Sequence, residues 1–202
     1  MHIATFAYYY MISPKALLFL AIQQQIATIL DVSNNLAFPF VERDMGQLDN
    51  GSKPPVIWPC TLIRIIDGNY KQLGENVQEG VMTVTIRIGF PPYSSTGIKT
   101  PAKYKNKALY YYDLEQLMYQ SMHGWSPGIV TVLPAADPDP AVTADLSDIF
   151  GSLIRVQDIE EDREDFIVVA KQTYTITIDD WSAAETIAMI PVTPDISDEI
   201  EA

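Results

Sequence analysis

The alternation of apolar and polar positions predicts helices and strands along most of the chain. Ser13 and Pro14 have the form of an N-cap followed by proline at the first helical position. Apolar residues then recur on one side of a helix that we expect to run to about Asp31. The 32–55 segment is rich in turn-forming residues, which predicts a loop with one short edge strand near Phe40.

Two strands are predicted next. Val56–Ile66 is a largely apolar run, in which Pro59 indicates an edge position or a bulge. Val81–Ile88 alternates as a half-buried strand does. We expect the two strands to pair as an antiparallel hairpin with a long polar loop between them.

A second helix and a long irregular region follow. Residues 91–107 have the composition of a loop, and the apolar spacing of Ala108–His123 predicts an amphipathic helix that ends at Gly124. The proline-rich 126–148 region is predicted to be irregular unless Ile129–Leu133 adds a short strand.

Two last strands, at Ser152–Asp158 and Phe166–Ile178, complete the order α-β-β-α-β-β. This order predicts an α+β fold class, with a small antiparallel β-sheet flanked by two helices, long loops and terminal arms. We predict an N-terminal arm or extension at 1–12, a single α+β domain at 13–181 and an acidic C-terminal tail at 182–202.

Charge changes this picture at one end of the chain. The 202 residues carry a net charge of −13, of which 1–157 contribute −2 and 158–202 contribute −11. An acidic end of this kind repels nucleic acid and favours basic protein partners or solubility.

The N-terminus is apolar but does not have the form of a membrane segment. It lacks a basic region and a small-residue cleavage site, and Pro14 and Lys15 interrupt the apolar run before it reaches the ~20 residues that span a bilayer. We therefore predict no membrane partner. Either Met1 or Met11 is compatible with the native start.

The densest group of acids lies between the last two predicted strands. Its geometry does not match a calcium loop, which needs alternating ligands around a central glycine, and consecutive carboxylates in a turn point outward into water. We interpret it as a solvated hairpin tip rather than a metal or catalytic site. This group, called the acidic turn, comprises Asp158, Glu160, Glu161, Asp162, Glu164 and Asp165.

One local basic patch, called the lysine loop, surrounds Tyr104. Three interpretations remain open: a solvated loop, a contact with an acidic surface of a neighbouring subunit, or a contact with nucleic acid phosphates. The strongly acidic chain as a whole argues against the last. The lysine loop comprises Lys99, Lys103, Lys105 and Lys107.

The residues do not supply a familiar catalytic constellation. Cys60 lies in an apolar run, which predicts a buried small side chain rather than the partner of His123 in a catalytic dyad. Asp113 and Glu115 are two apart on the second helix and so face different ways. With no phosphate loop, nucleophile elbow or zinc motif, we predict no enzyme, no metal and no cofactor.

Several segments in this order resemble a known family. They are PKALLFLAIQQQIATIL, DMGQLDN, VIWPCTLIRI, GVMTVTIRIGF, ALYYYDLEQLMYQSMHGW and SLIRVQDIEEDREDFIVVAKQTYTITI, within residues 13–181. Together they resemble the tail terminator (tail completion) group of neck proteins from tailed bacteriophages and prophages. The resemblance is one of pattern and order, and it implies a small sheet with helices on one face.

The resemblance also implies a function without catalysis. Members form a ring, typically a hexamer, that caps the tail tube, stops its polymerisation and joins it to the head-side connector. We therefore expect a homo-oligomer in the virion neck, assembled in the host cytoplasm, with genomic DNA passing through its lumen without specific binding. The acidic turn is then expected to face either this lumen or the lysine loop of the adjacent subunit.

Other functions remain as alternatives. One alternative is another phage neck protein, such as a head completion or connector subunit, or the tube cap of a phage-derived contractile injection system. A small-ligand binding domain or an enzyme would need a deep pocket with converging polar groups, which no motif in the sequence indicates.

Overall fold

The computed structural model describes seven stretches of the chain, and these form two helices and eight strands. The α+β class is confirmed, but four strands precede the second helix and four follow it, so the predicted order α-β-β-α-β-β is incomplete.

The segments predicted as arm and tail, 1–12 and 182–202, lie outside the described residues. The described residues are 13–49, 55–66, 68–75, 77–91, 96–133, 142–163 and 167–180. The elements are α1 (Pro14–Ile26), β1 (Phe40–Arg43), β2 (Cys60–Ile66), β3 (Tyr70–Gly74), β4 (Val77–Phe90), α2 (Ala102–Met122), β5 (Ile129–Leu133), β6 (Val142–Asp145), β7 (Ile154–Glu160) and β8 (Val168–Asp180).

Helix α1 begins where its cap predicts. The Ser13 hydroxyl accepts a hydrogen bond from a first-turn backbone N–H at 3.3 Å, and Pro14 stands where a missing N–H costs nothing. The helix ends at Ile26 rather than at the predicted Asp31. The reason is local, because backbone N–H groups after Ile26 bond to carbonyls three residues back and tighten the chain into a turn.

The main sheet places its strands in the order β1-β2-β4-β8-β7, with β3 beside the first part of β4. The predicted antiparallel pair is confirmed, since β2 pairs with β4 from Cys60 opposite Gly89 to Ile66 opposite Thr83. The edge strand predicted near Phe40 is β1, which runs parallel to β2. The sheet is therefore mixed, and the prediction of a purely antiparallel sheet is wrong at this edge.

The predicted polar loop between β2 and β4 contains β3. A side chain at Gly68 would place its Cβ 1.3 Å from the carbonyl oxygen of Val81, so only glycine allows the chain to pass this close to β4. Every residue of β3 is exposed. This strand therefore lengthens the hairpin without adding to the core.

Both helices pack on the same face of the main sheet, called the helix face. Alternate residues of β4 and β8, such as Ile86 and Tyr174, are buried there against Ile22 of α1 and Met118 of α2. Helices on one face match the fold that the resemblance implies.

The opposite face, called the open face, carries neither helix of the described residues. Its side chains form rows across four strands, because directly paired residues of adjacent strands point the same way. The rows are Ile66, Thr83, Thr175, Ile154; then Arg64, Thr85, Thr173, Gln157; then Leu62, Arg87, Lys171, Ile159.

Helix α2 begins at Ala102, six residues before the predicted start. Its first turns bury no side chain until Ala108, so they lack the apolar spacing by which a helix is recognised, and the prediction of a loop over 91–107 is wrong in this part. Of the helices in the described residues, neither is long and apolar enough to cross a membrane.

A two-stranded ribbon, β5 with β6, occupies much of the region predicted to be irregular. The strand proposed at Ile129–Leu133 is confirmed as β5, whereas its partner β6 was not predicted. The ribbon docks on α1 through Gln24, whose side-chain amide accepts from the Thr131 N–H at 3.0 Å and donates to the Thr131 carbonyl at 2.6 Å. The Gln24 amide therefore satisfies both backbone hydrogen-bonding groups of Thr131, as a paired strand would.

Candidate functional site

The structure divides the acidic turn between the two faces of the sheet. Strand β7 extends through Glu160, and its register with β8 directs Asp158 and Glu160 toward the helix face. Glu161 is half-buried on the open face, and Asp162 is exposed. The interpretation as one solvated hairpin tip is therefore wrong for Glu161. The remaining members, Glu164 and Asp165, lie outside the described residues.

On the helix face the acids of β7 meet Glu115 of α2. Burial raises the pKa of Glu115 to about 7, and repulsion from Asp158 and Glu160 adds to this effect. The backbone carbonyl of Glu115 accepts a hydrogen bond from the Gln172 side chain at 3.1 Å, which fixes α2 against β8. The three carboxyl groups therefore form an acidic cluster that Glu115 joins from a different element.

Arg155 is the one described cation that pairs with this acidic cluster. Its guanidinium lies 2.6 Å from Asp158 and 3.7 Å from the centroid of the Tyr119 ring. Its backbone N–H donates to Nδ1 of His123 at 3.1 Å. These contacts join β7 to the end of α2, and they use His123 as a structural acceptor.

The open face holds a buried arginine that the sequence analysis missed. Arg87 is 7% exposed, and its guanidinium donates to both carboxylate oxygens of Glu161 at 2.7 and 2.8 Å. It also donates to both oxygens of Asp49 at 2.6 and 3.0 Å and lies 3.4 Å from Asp44. Burial opposes its charge, but the hydrogen bonds to Asp49 and Glu161 outweigh burial and raise the pKa of Arg87.

Arg163 extends this network. It lies 3.5 Å from the carboxylates of Asp49 and Glu161 and donates to the carbonyl of Leu48. The hydrogen bonds from Arg87 hold the pKa of Asp49 below its usual range. Two guanidinium groups therefore offset most of the charge of three carboxylates. The five residues, called the Arg87 cluster, are Asp44, Asp49, Arg87, Glu161 and Arg163.

A depression of about 930 Å³ opens above the Arg87 cluster. Arg43, Arg64 and Lys171 contribute further cations to its lining, and none of these three forms an ion pair with another side chain of the described residues. Because the carboxylates of the lining already pair with arginines, the remaining charge is positive. This basic depression is suited to carboxylate or phosphate groups. Its other lining residues are Lys15, Asp44, Met45, Gly46, Asp49, Ile65, Ile66, Thr85, Arg87 and Glu161.

The lysine loop lies at the start of α2. Lys99 precedes the helix, and the other three lysines fall in its first two turns, where only Lys105 is half-buried. Within the described stretches no ion pair joins these lysines to an acid. Tyr111 lies on the same helix as these lysines. Burial raises the pKa of Tyr111, and the nearby negative charge of Glu160 on β7 raises it further. The lysine loop and Glu160 therefore lie toward the same end of the sheet without pairing.

The residues considered for catalysis have structural roles. Cys60 is buried as predicted, beside Leu48 and Val169, and burial raises the pKa of its thiol to about 11. His123 accepts a hydrogen bond from the backbone N–H of Arg155. Over the described ranges no three histidine, cysteine or acidic side chains are placed to hold a metal ion. Clusters of charged side chains lie on both faces of the sheet.

Among known proteins, matches to the chain are found only in solved structures. No protein-family model matches the chain, and no curated protein matches it. A chain of the structure titled "Virion of native gene transfer agent (GTA) particle" aligns at 13% identity, over 81% of this chain and 95% of that one, with a TM-score of 0.44. At that TM-score we draw no conclusion about function from the match.

Proposed function

We propose that this chain is a structural subunit of a phage-like virion. Specifically, it is a tail terminator (tail completion) protein that forms a ring, caps the tail tube and joins it to the head-side connector. The order and character of the segments quoted above support this proposal, as does a sheet with both helices on one face. In this role the ring is a hexamer in the virion neck, it assembles in the host cytoplasm, and DNA passes through its lumen.

The observation that carries the proposal is the free edge of the sheet at β7. No described strand pairs with its outer side, and its aliphatic side chains Ile154, Val156 and Ile159 are 46%, 57% and 40% exposed. An exposed strand edge is a template for another chain, and clustered exposed aliphatic groups mark interaction sites. A ring subunit needs such a surface because each copy contacts two neighbours through different patches.

The same edge is built to resist nonspecific pairing. The register between β7 and β8 shifts between Arg155 and Gln157, so Val156 lies in a bulge. Asp158 and Glu160 add charge to the strand. Bulges and charges on edge strands limit uncontrolled aggregation. A capping ring requires this limit, because its free side must not add further subunits.

The acidic residues of β7 have two candidate environments in the ring. A DNA conduit favours acidic walls, because lysines there would hold phosphates in transit. Alternatively, the acids face the lysine loop of the adjacent subunit, whose lysines form no ion pair within the described part of their own chain. Glu160 and Asp162 are exposed and therefore available for either.

The proposal is tested by electron microscopy of the purified protein, alone and mixed with tail tubes. We expect sixfold rings that bind at tube ends. The double variant Glu160→Lys, Asp162→Lys then separates the two environments, since it impairs DNA passage if the acids face the lumen and ring assembly if they face the lysine loop. Normal rings together with normal DNA passage would exclude both. Rings that bind the head-side connector but ignore tubes would assign a different neck position.

A further inference from the structure

Strand β2 extends beyond the end of β1, so part of its outer side, the side away from β4, has no partner strand among the described residues. The parallel pairing ends with Arg43 opposite Ile63, and β2 continues through Ile66. The Ile63 carbonyl accepts from the Asp44 N–H and therefore points outward. Because alternate residues of a strand direct their backbone groups to the same side, the N–H and carbonyl of Ile65 also point outward. Within the described part of the chain, nothing bonds to these two groups.

This part of the edge lies in the basic depression. Ile65 is half-buried and lines the depression together with Arg43 and Arg64. The two arginines belong to opposite faces, since Arg43 lies opposite Ile63 of the helix face and Arg64 lies opposite Thr85 of the open face. Neither forms an ion pair with another described residue. The depression therefore combines a backbone donor and acceptor with one cation on each face of the sheet.

We propose that this edge of β2 binds an extended acidic segment of a partner protein, which adds to the sheet as a strand in line with β1. The backbone of the segment pairs with Ile65. Its carboxylates pair with Arg43 on the helix face and with Arg64 on the open face. This inference goes beyond the proposed function and applies whether or not the chain forms a ring.

The backbone groups of Ile65 favour a peptide over a phosphate. The Ile65 N–H requires an acceptor and the Ile65 carbonyl requires a donor. An ionised phosphate group supplies strong acceptors only. A peptide in the extended conformation supplies both, at the spacing of a neighbouring strand.

The side chains of the depression favour acids that have aliphatic neighbours. All three acids of the lining already contact Arg87, at 2.6 to 3.4 Å, so they leave the charges of Arg43 and Arg64 available. Met45 and Ile66 are exposed and line the same depression. A segment that carries both carboxylates and aliphatic side chains therefore matches this lining better than one that carries charge alone.

The open part of the edge is short, which determines how the two kinds of contact divide. The three residues Arg64–Ile66 correspond to about 10 Å of strand. Few backbone hydrogen bonds form over this length. We therefore expect ion pairs to provide most of the affinity and backbone pairing to select extended peptides.

Fluorescence anisotropy of a labelled synthetic peptide, titrated with the full chain, tests the proposal. The probe is Val-Glu-Glu-Val-Glu-Glu-Val, whose acids fall on both faces of an extended strand. We expect saturable binding that Arg43→Glu with Arg64→Glu weakens about tenfold. The control Lys103→Glu with Lys107→Glu reverses the same number of charges on α2 and should change the affinity by less than about twofold.

A second peptide separates strand pairing from attraction between charges alone. It has the same sequence with every peptide nitrogen methylated, so it keeps its carboxylates but donates no backbone hydrogen bond. We expect it to bind the parent chain about fivefold more weakly. Amide exchange measured by NMR locates the contact, because the unmethylated peptide should slow exchange of the Ile65 N–H.

Five results would overturn the proposal. They are the absence of saturable binding, equal weakening in the two charge-reversed variants, equal affinity for the methylated and unmethylated peptides, unchanged exchange of the Ile65 amide, and displacement of the probe by inorganic pyrophosphate at a lower concentration than by unlabelled peptide. The last result would assign the depression to phosphate groups.

Discussion

The two faces of one sheet differ in what they do with alternate residues of the same strands. On the helix face, β4 and β8 contribute aliphatic side chains and Tyr174, which are fully buried under α1 and α2. On the open face, the same strands contribute threonines, Lys171 and the single buried guanidinium of Arg87. Stability is therefore concentrated on the helix face, and the capacity for charged and aliphatic contacts is concentrated on the open face and at β7.

A strand pattern that is typical of a half-solvated strand can therefore hold a structural ion cluster. The alternation through Arg87 would place a free arginine in water, yet its carboxylate partners come from two loops distant in sequence.

The largest loss of stability is expected from the helix face. Ile86→Ala removes a fully buried side chain and should lower the free energy of unfolding by about 3–4 kcal/mol, through lost burial and the cavity left behind. Thr83→Val, three residues away on the open face, should stay within about 0.5 kcal/mol. Urea unfolding of both variants measures the contrast, and equal losses would show that the two faces do not differ as described.

The next largest effect is expected from the exception on the open face. Arg87→Met leaves Glu161 and Asp44 without their main cation and should cost about 3 kcal/mol, because one half of a buried ion cluster is removed. The control Arg64→Met, at an exposed position of β2, should cost less than about 0.5 kcal/mol. Urea unfolding again reports the values, and a similar small cost for both would mean that the Arg87 cluster contributes no stability.

A smaller and pH-dependent effect is expected where α2 meets β7. The folded pKa of Glu115, about 7, lies above its ordinary value of 4.5, so its contribution to stability is full below pH 4.5 and is lost as the pH rises through 7. Glu115→Gln should therefore match the parent at pH 4.5 and be more stable at pH 8 by about 1 kcal/mol after solvent screening. A difference between variant and parent that stays constant from pH 4.5 to pH 8 would contradict this environment for Glu115.

The smallest effect on stability is expected at the edge strand. Val156→Ser changes a side chain that is 57% exposed and should alter the free energy of unfolding by less than about 0.5 kcal/mol. In the proposed ring the same change should weaken association about tenfold, which corresponds to about 1.4 kcal/mol. Analytical ultracentrifugation over a concentration series measures it, and unchanged association would remove β7 from the interface.

Much of the fold is predictable because local rules govern it. The cap at Ser13, the apolar run that becomes β2 and the alternation of β4 and β8 each depend on a few neighbouring residues. The start of α2 was missed because its first turns bury nothing, so a lysine-rich helix and a loop have the same pattern there. The parallel strand β1 was identified by position, but its direction depends on a pairing that local pattern does not encode.

For the charged sites, the sequence predicts which segments are rich in acids or lysines, but not which charged side chains meet in the fold. The acidic turn was found from its density of acids, whereas the different roles of Glu160 and Glu161 depend on which face each side chain takes. Glu161 lies 74 residues from Arg87 in sequence, and Asp49 lies 38 residues away. The only signal in the sequence was a lone arginine in an alternating strand. Its role in an ion cluster can be recognised only when the positions of Asp44, Asp49 and Glu161 in the fold are known.

The proposed ring at the end of a tail tube is tested most directly by native mass measurement of the purified protein before and after addition of tail tubes. We expect a species of six times the 22.6 kDa chain mass that is depleted from solution when tubes are added and sedimented. A stable monomer that stays in solution beside the tubes would contradict it.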